Sequence, residues 1–164
     1  MKIIFPLLLV LLITACSTSK DLPAVNTEAY NFKLPTPSGD TLALADFKAK
    51  DKLIVFWATW CVPCIKEIPI FNEMQQKLQD SSFQIISINL DESQHEIVPK
   101  AIQKYGIKYP VVYGNEEIVK QYGNFSGLPA AFLVDKNNQI FEMIMGAVPA
   151  HVLNEKVQKL RTRL

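Results

Sequence analysis

The sequence predicts an α/β fold in which a central mixed β-sheet is flanked by helices on both faces and preceded by an N-terminal β-hairpin extension. Three observations carry this. Apolar runs rich in branched and aromatic residues alternate with segments whose apolar residues recur every three or four positions, the order that builds an open sheet with packed helices. Near the C-terminus two strand-like runs follow one another directly before a last helix, so a parallel sheet gains an antiparallel pair. A chain of 164 residues, 49% hydrophobic and 20% charged, suits one globular domain.

Taken in order, Tyr30 to Phe47 reads as two short strands around a Pro/Ser/Gly turn. Lys52 to Ala58, "KLIVFWA", is a continuous apolar run suited to a strand buried on both faces. From Val62 to Gln79 the period changes, with Ile65, Ile68, Phe71, Met74 and Leu78 on one stripe of a helix that Pro69 should kink. A second buried strand runs from Phe83 to Asp91, and a second helix opens with Ser93 as its cap and closes at Gly106. "YPVVYG" and "EEIVKQYG" supply a further strand and helix. "AAFLVDKNNQIFEMIMG" reads as a hairpin turning at Lys136, Asn137 and Asn138, followed by a helix from Ala150.

The first residues stand apart from this domain. After Lys2, the apolar run "IIFPLLLVLLI" is about eleven residues long, against the roughly 20 needed to span a bilayer, and fits the core of an export signal. "ITAC", Ile13 to Cys16, resembles a lipobox, the bacterial lipoprotein signal, which implies lipidation at Cys16; an ordinary cleaved signal with a chance cysteine is the alternative. The expected organisation is a signal peptide over residues 1–15, a tether over 16–29 and a domain over 30–164. The protein is then an exported, membrane-anchored lipoprotein facing the periplasm or extracytoplasmic space. With 17 basic and 16 acidic residues, balanced once Lys2 is removed, nothing directs the chain to nucleic acid, and membrane attachment falls to the lipid.

The chemistry concentrates in "WATWCVPCIKEIP", Trp57 to Pro69. A C-x-x-C pair where a strand meets a helix puts Cys61 at the helix N-terminus, where unpaired backbone N–H groups and the dipole favour a thiolate. Cys64, one turn on, suits a more buried resolving thiol, and Pro63 is preset for a first helical turn. Zinc would need two further ligands, and Cys16, His95 and His151 are distant in sequence; a c-type haem site would need histidine where Ile65 stands. A purely structural disulfide stays open beside the reactive dithiol.

"FWATWCVPC", the following "KEIP" and "GLPAAFLVD" from Gly127 to Asp135 resemble the thioredoxin superfamily, and within it the membrane-anchored TlpA/ResA-like thiol:disulfide oxidoreductases, over about residues 30 to 160. The resemblance implies a thioredoxin-like fold, no cofactor, Cys61 as attacking and Cys64 as resolving cysteine, and Pro129 as the cis-proline facing them. It implies that Leu128 pairs with an incoming peptide and that Trp60, Val62 and Pro63 belong to the docking surface. Val55 replaces the buried aspartate of ordinary thioredoxins, and Glu92 matches an acidic residue near the cysteines of ResA-like proteins, a candidate to move protons during exchange. Ala130 stands where many relatives have threonine. Glu67, His95 and His151 read as solvated helix residues, and Trp57 as core.

The implied function is reduction of disulfides in exported proteins, apocytochromes c among them, with a membrane thiol electron donor restoring the dithiol. Two other classes are weaker. A thiol peroxidase resembles a Pro-x-x-x-Thr-x-x-Cys pattern with an assisting arginine, but Ile54 and Ala58 hold those positions and the only arginines are Arg161 and Arg163. A copper chaperone of this fold spaces its cysteines by three and adds a histidine.

Overall fold

The computed structural model describes residues 25–78 and 82–163. The signal segment and Cys16 lie outside the described residues. Within them, β1 (Lys33–Pro35) and β2 (Thr41–Ala43) form the hairpin, followed by a 3-10 turn over Leu44–Phe47. The domain continues through β3 (Asp51–Trp57), α1 (Val62–Leu78), β4 (Phe83–Asn89), α2 (Gln94–Tyr105), β5 (Val111–Tyr113), α3 (Glu116–Gln121), β6 (Ala130–Val134), β7 (Ile140–Met145) and α4 (Ala150–Arg161). No helix among the described residues is long and apolar enough to cross a membrane.

The main sheet has the order β5-β4-β3-β6-β7, with β3, β4 and β5 parallel and β6 and β7 antiparallel to their neighbours. Register assigns the two faces. Val55 stands opposite Ser87 on one side and Ala131 on the other, so Leu53, Val55, Ile85 and Leu133 point together toward Phe71 and Met74 of α1 and Leu153, Val157 and Leu160 of α4. The intervening residues Ile54, Phe56, Ile86, Ile88 and Phe132 face the other way, onto Ile118 and Tyr122 and the hairpin residues Phe32 and Leu34. The β1–β2 hairpin therefore covers sheet surface that the short α3 leaves open. Burying one large apolar side chain contributes about 1.5–3 kcal/mol, which makes both faces necessary to the fold.

Local expectations met particular outcomes. Gly106 closes α2 in the left-handed conformation, φ 61°, where a side chain would be strained. Ser93 occupies the α2 cap position, but its side chain makes no capping bond; its carbonyl accepts from the N–H groups of Glu96 and Ile97. Asn115 is the side chain that caps, its Oδ1 accepting from Ile118 N–H at 2.9 Å. α1 runs through Pro69, whose ring nitrogen has no proton to donate to the preceding turn. The C-terminal hairpin turns through Asn138 at φ 63°, with the Asp135 carboxylate accepting from the N–H groups of Asn137 and Gln139.

One end of the sheet ties down the N-terminal segment. Residues 26–29, assigned to the tether from sequence, pair with the C-terminal hairpin: Asn26 N–H donates to Ile140 O and Ala29 N–H to Asn138 O, each at 2.7 Å, and Ala29 is buried. At the same end Lys52, a charged residue inside the apolar run, is fully buried with its ammonium donating to Lys50 O and Asp135 O. Burial pushes its pKa below the ordinary lysine value.

Candidate active site

At the opposite end of the sheet, β3 stops at Trp57 and α1 starts at Val62, leaving a loop of four residues that holds Cys61. Cys61 and Cys64 are joined as a disulfide with Cα atoms 5.3 Å apart, inside the usual range for a bridge. Both are buried, at 4% and 2% exposure, so accessibility does not set them apart as the spacing had suggested. Hydrogen bonding does. Cys61 occupies the position just before the helix, and its Sγ accepts the backbone N–H of Cys64 at 3.3 Å, as a capping side chain would. A donor and a helix dipole at this position would favour a thiolate on Cys61 once the bridge is reduced.

The loop before Cys61 is fastened by a carboxylate that sequence reasoning passed over. Asp91, just beyond β4 and 3% exposed, accepts from Thr59 N–H and from Thr59 Oγ1–H, each at 2.8 Å, and from Asn89 Nδ2 at 2.7 Å. Asn89 Oδ1 in turn accepts Asp91 N–H at 3.0 Å, and Leu90 N–H donates to Trp57 O. A buried carboxylate holding one loop through two donors fixes the backbone two residues before Cys61. The signal was available: Asn89 and Asp91 alternate onto one face at the end of an apolar strand. Glu92, the residue singled out instead, is exposed, and among the described residues no hydrogen bond joins its carboxylate to the cysteine loop.

A second buried carboxylate corrects the expectation of a solvated residue. Glu67 is 5% exposed, and its Oε1 accepts Val148 N–H at 3.1 Å, tying α1 to the segment before α4. Burial raises its pKa above the ordinary glutamate value, against the lowering effect of the Val148 donor. Its place on the stripe with Cys64, Ile68 and Phe71 was the sequence clue. His95 and His151 are exposed, as expected, with the His95 ring edge-on to Tyr113 at 4.5 Å.

The Leu128–Pro129 peptide is cis, Pro129 is buried and Leu128 half-buried. Phe56 pairs with Ala130, which brings Pro129 alongside the end of β3, and Pro129 O accepts Gly146 N–H at 2.8 Å. Trp57 is core, packed in one cluster with both cysteines and with Val98 and Ala101 of α2; its Nε1 has no acceptor among the described residues. Trp60 and Val62 are 69% and 63% exposed and Pro63 is exposed, an apolar rim beside Cys61. Met145, paired with Ala130 at the same end of the sheet, is 46% exposed and was not anticipated.

This arrangement provides a bridged cysteine pair at a helix start, with one sulfur facing a backbone N–H and an exposed apolar rim beside it. Comparisons agree with it. Residues 24–163 match the Redoxin family. The chain is 34% identical over 144 residues to the thiol-disulfide oxidoreductase ResA of Bacillus thuringiensis subsp. konkukian, covering 87% of this chain and 82% of the relative. It is 35% identical over 137 residues to the ResA of Bacillus cereus, covering 83% and 78%. Among solved structures, a thiol:disulfide interchange protein of the thioredoxin family from Chlorobium tepidum TLS superposes with a TM-score of 0.76 at 27% identity, over 84% of this chain and 97% of that one.

Proposed function

The chain belongs to the Redoxin family and is a thiol:disulfide oxidoreductase, and on that footing we propose that it works outside the cytoplasm as a reductant of disulfides in exported proteins, apocytochromes c among them. The observation that carries the assignment of roles is the Cys64 N–H directed at Cys61 Sγ. In the reduced protein the Cys61 thiolate attacks one sulfur of the partner's disulfide. The Cys61–partner bond forms, the partner's S–S bond breaks, and the second partner sulfur leaves as a thiolate that takes up a proton. Cys64 then loses its proton and attacks Cys61 Sγ, which releases the first partner sulfur and leaves the Cys61–Cys64 bridge. Two electrons have passed to the partner, and a membrane thiol donor, itself oxidised to a disulfide, supplies two more to reduce the bridge.

Trp60, Val62, Pro63 and Leu128 form the docking rim in this reading, Pro129 shields the bridge, and Glu92 is a proton-exchanging carboxylate at the edge of the site. An anchor at Cys16 suits the arrangement. The chain enters the domain at Asn26, beside the start of β7, whereas Pro129 contacts Gly146 just past its end. Six strand residues span about 20 Å, so the dithiol is turned away from the end that the tether joins.

The test is covalent capture. Cys64→Ala expressed in intact bacteria should accumulate mixed disulfides between Cys61 and exported proteins that carry cysteine pairs. Capture of cytoplasmic proteins alone, or of none, would overturn the reading.

A further inference from the structure

Beside the cysteine loop, where β4 and β5 end, lies a groove of about 530 Å³ that shares Asp91 and Glu92 with the edge of the site but is lined by neither cysteine. Its apolar surface comes from Leu90 and Val119, and its acidic groups are Asp91, Glu92 and Glu116. The basic groups on it are Lys120, 3.9 Å from Glu116, and His95, whose ring lies against Tyr113. The groove is built rather than incidental: Gln94 Nε2 donates to Asn89 O at 3.2 Å and to Gly114 O at 2.9 Å, which locks the ends of β4 and β5 together. Asp91 belongs to both places. It lines the groove, and its carboxylate holds Thr59, two residues before Cys61. The groove is thus continuous with the wall of the active-site loop.

We propose that this groove is a second contact for the polypeptide whose disulfide Cys61 attacks, and that it takes a lysine or arginine side chain from an extended segment flanking that disulfide. The inference rests on the reading of the protein as a reductant of polypeptide disulfides. Chemistry selects the occupant: an aliphatic stem lies along Leu90 and Val119, and its cationic head meets the exposed Glu92 and Glu116, the latter exchanging its weak, exposed contact with Lys120 for the incoming cation. Distance selects the position. Neighbouring strands are about 4.8 Å apart, so the end of β5 is about 10 Å from the end of β3, and an extended chain at about 3.3 Å per residue covers this in roughly three residues. Charge complementarity of this kind sets partner choice and approach rate more than total affinity.

Two synthetic peptides, each with one disulfide and differing only by Lys or Glu about three residues from the attacked cysteine, test this on the reduced protein. The expected kcat/KM is about five- to tenfold higher for the Lys peptide at low salt. In Glu92→Gln/Glu116→Gln the ratio should fall to within about twofold; both side chains are exposed, so folding is not at issue. Equal kcat/KM in the unaltered protein, or an undiminished ratio in the double variant, overturns the proposal. Serine-for-cysteine versions of the peptides separate binding from exchange. Preferential binding of the Lys form without reduction of its disulfide parent would sink the reductase reading and leave the groove, whereas reduction of both peptides with equal Kd for the serine forms would do the reverse.

Discussion

The backbone N–H of Cys64 donates to the sulfur of Cys61 at 3.3 Å, while Cys61 N–H itself is occupied by Ala58 O at 3.1 Å. Two cysteines of nearly equal burial are made unequal by which of them faces the unpaired donors of the helix start. In the reduced protein Cys61 should therefore be the more acidic thiol. Iodoacetamide at neutral pH should modify Cys61 at least several-fold faster than Cys64, read by mass spectrometry of timed digests. Equal rates would remove the helix-end explanation.

Asp91 and Thr59 provide a second measurable relationship. Thr59→Ala and Asp91→Asn should each lower stability to urea by about 1–3 kcal/mol, because each leaves a buried group short of a partner. Measured as a double-mutant cycle, their coupling should exceed about 0.5 kcal/mol. Glu92→Gln, at an exposed position, should change stability by less than about 0.5 kcal/mol.

Glu67 makes a pH-dependent prediction. Burial raises its pKa in the folded state above the unfolded value. A group raised in this way supports folding fully below its unfolded pKa, and that support is lost as pH rises through the folded pKa. Glu67→Gln keeps an oxygen for the Val148 N–H and does not titrate. The variant should match the parent near pH 4 and exceed it by up to about 1 kcal/mol at pH 7, in urea melts taken across that range. A variant less stable than the parent at pH 7 would show that the carboxylate's bond to Val148 outweighs its burial.

The reading of Cys16 as a lipidated residue predicts the protein's distribution in cells. In a bacterial host with lipoprotein processing, Cys16→Ser should shift the protein from the membrane to the soluble fraction on fractionation and immunoblotting. Persistence in the membrane would rule the lipid anchor out.

Much of the fold was legible in the sequence because its determinants are periodic and local. The continuous apolar run from Leu53 to Trp57 requires burial on both faces; the three-to-four spacing of Ile68, Phe71 and Met74 requires a helix on that sheet; Gly106 and Asn138 mark chain reversals by the left-handed backbone they tolerate. The same holds for C-x-x-C at the strand-to-helix junction, since a helix end imposes its field on whichever cysteine starts it.

What only the tertiary structure decided are relationships between residues far apart in the chain. Asp91 is 32 positions from Thr59, and Glu67 is 81 from Val148, and in each pair a carboxylate is buried because a distant backbone N–H is there to receive it. A sequence shows a charged residue and its neighbours, from which solvation is the reasonable inference for Glu67. Burial of a charge depends on a partner delivered by the fold, and strand register and helix placement deliver it. The groove between β4 and β5 has the same origin, since its walls meet only when parallel strands bring the starts of two helices side by side.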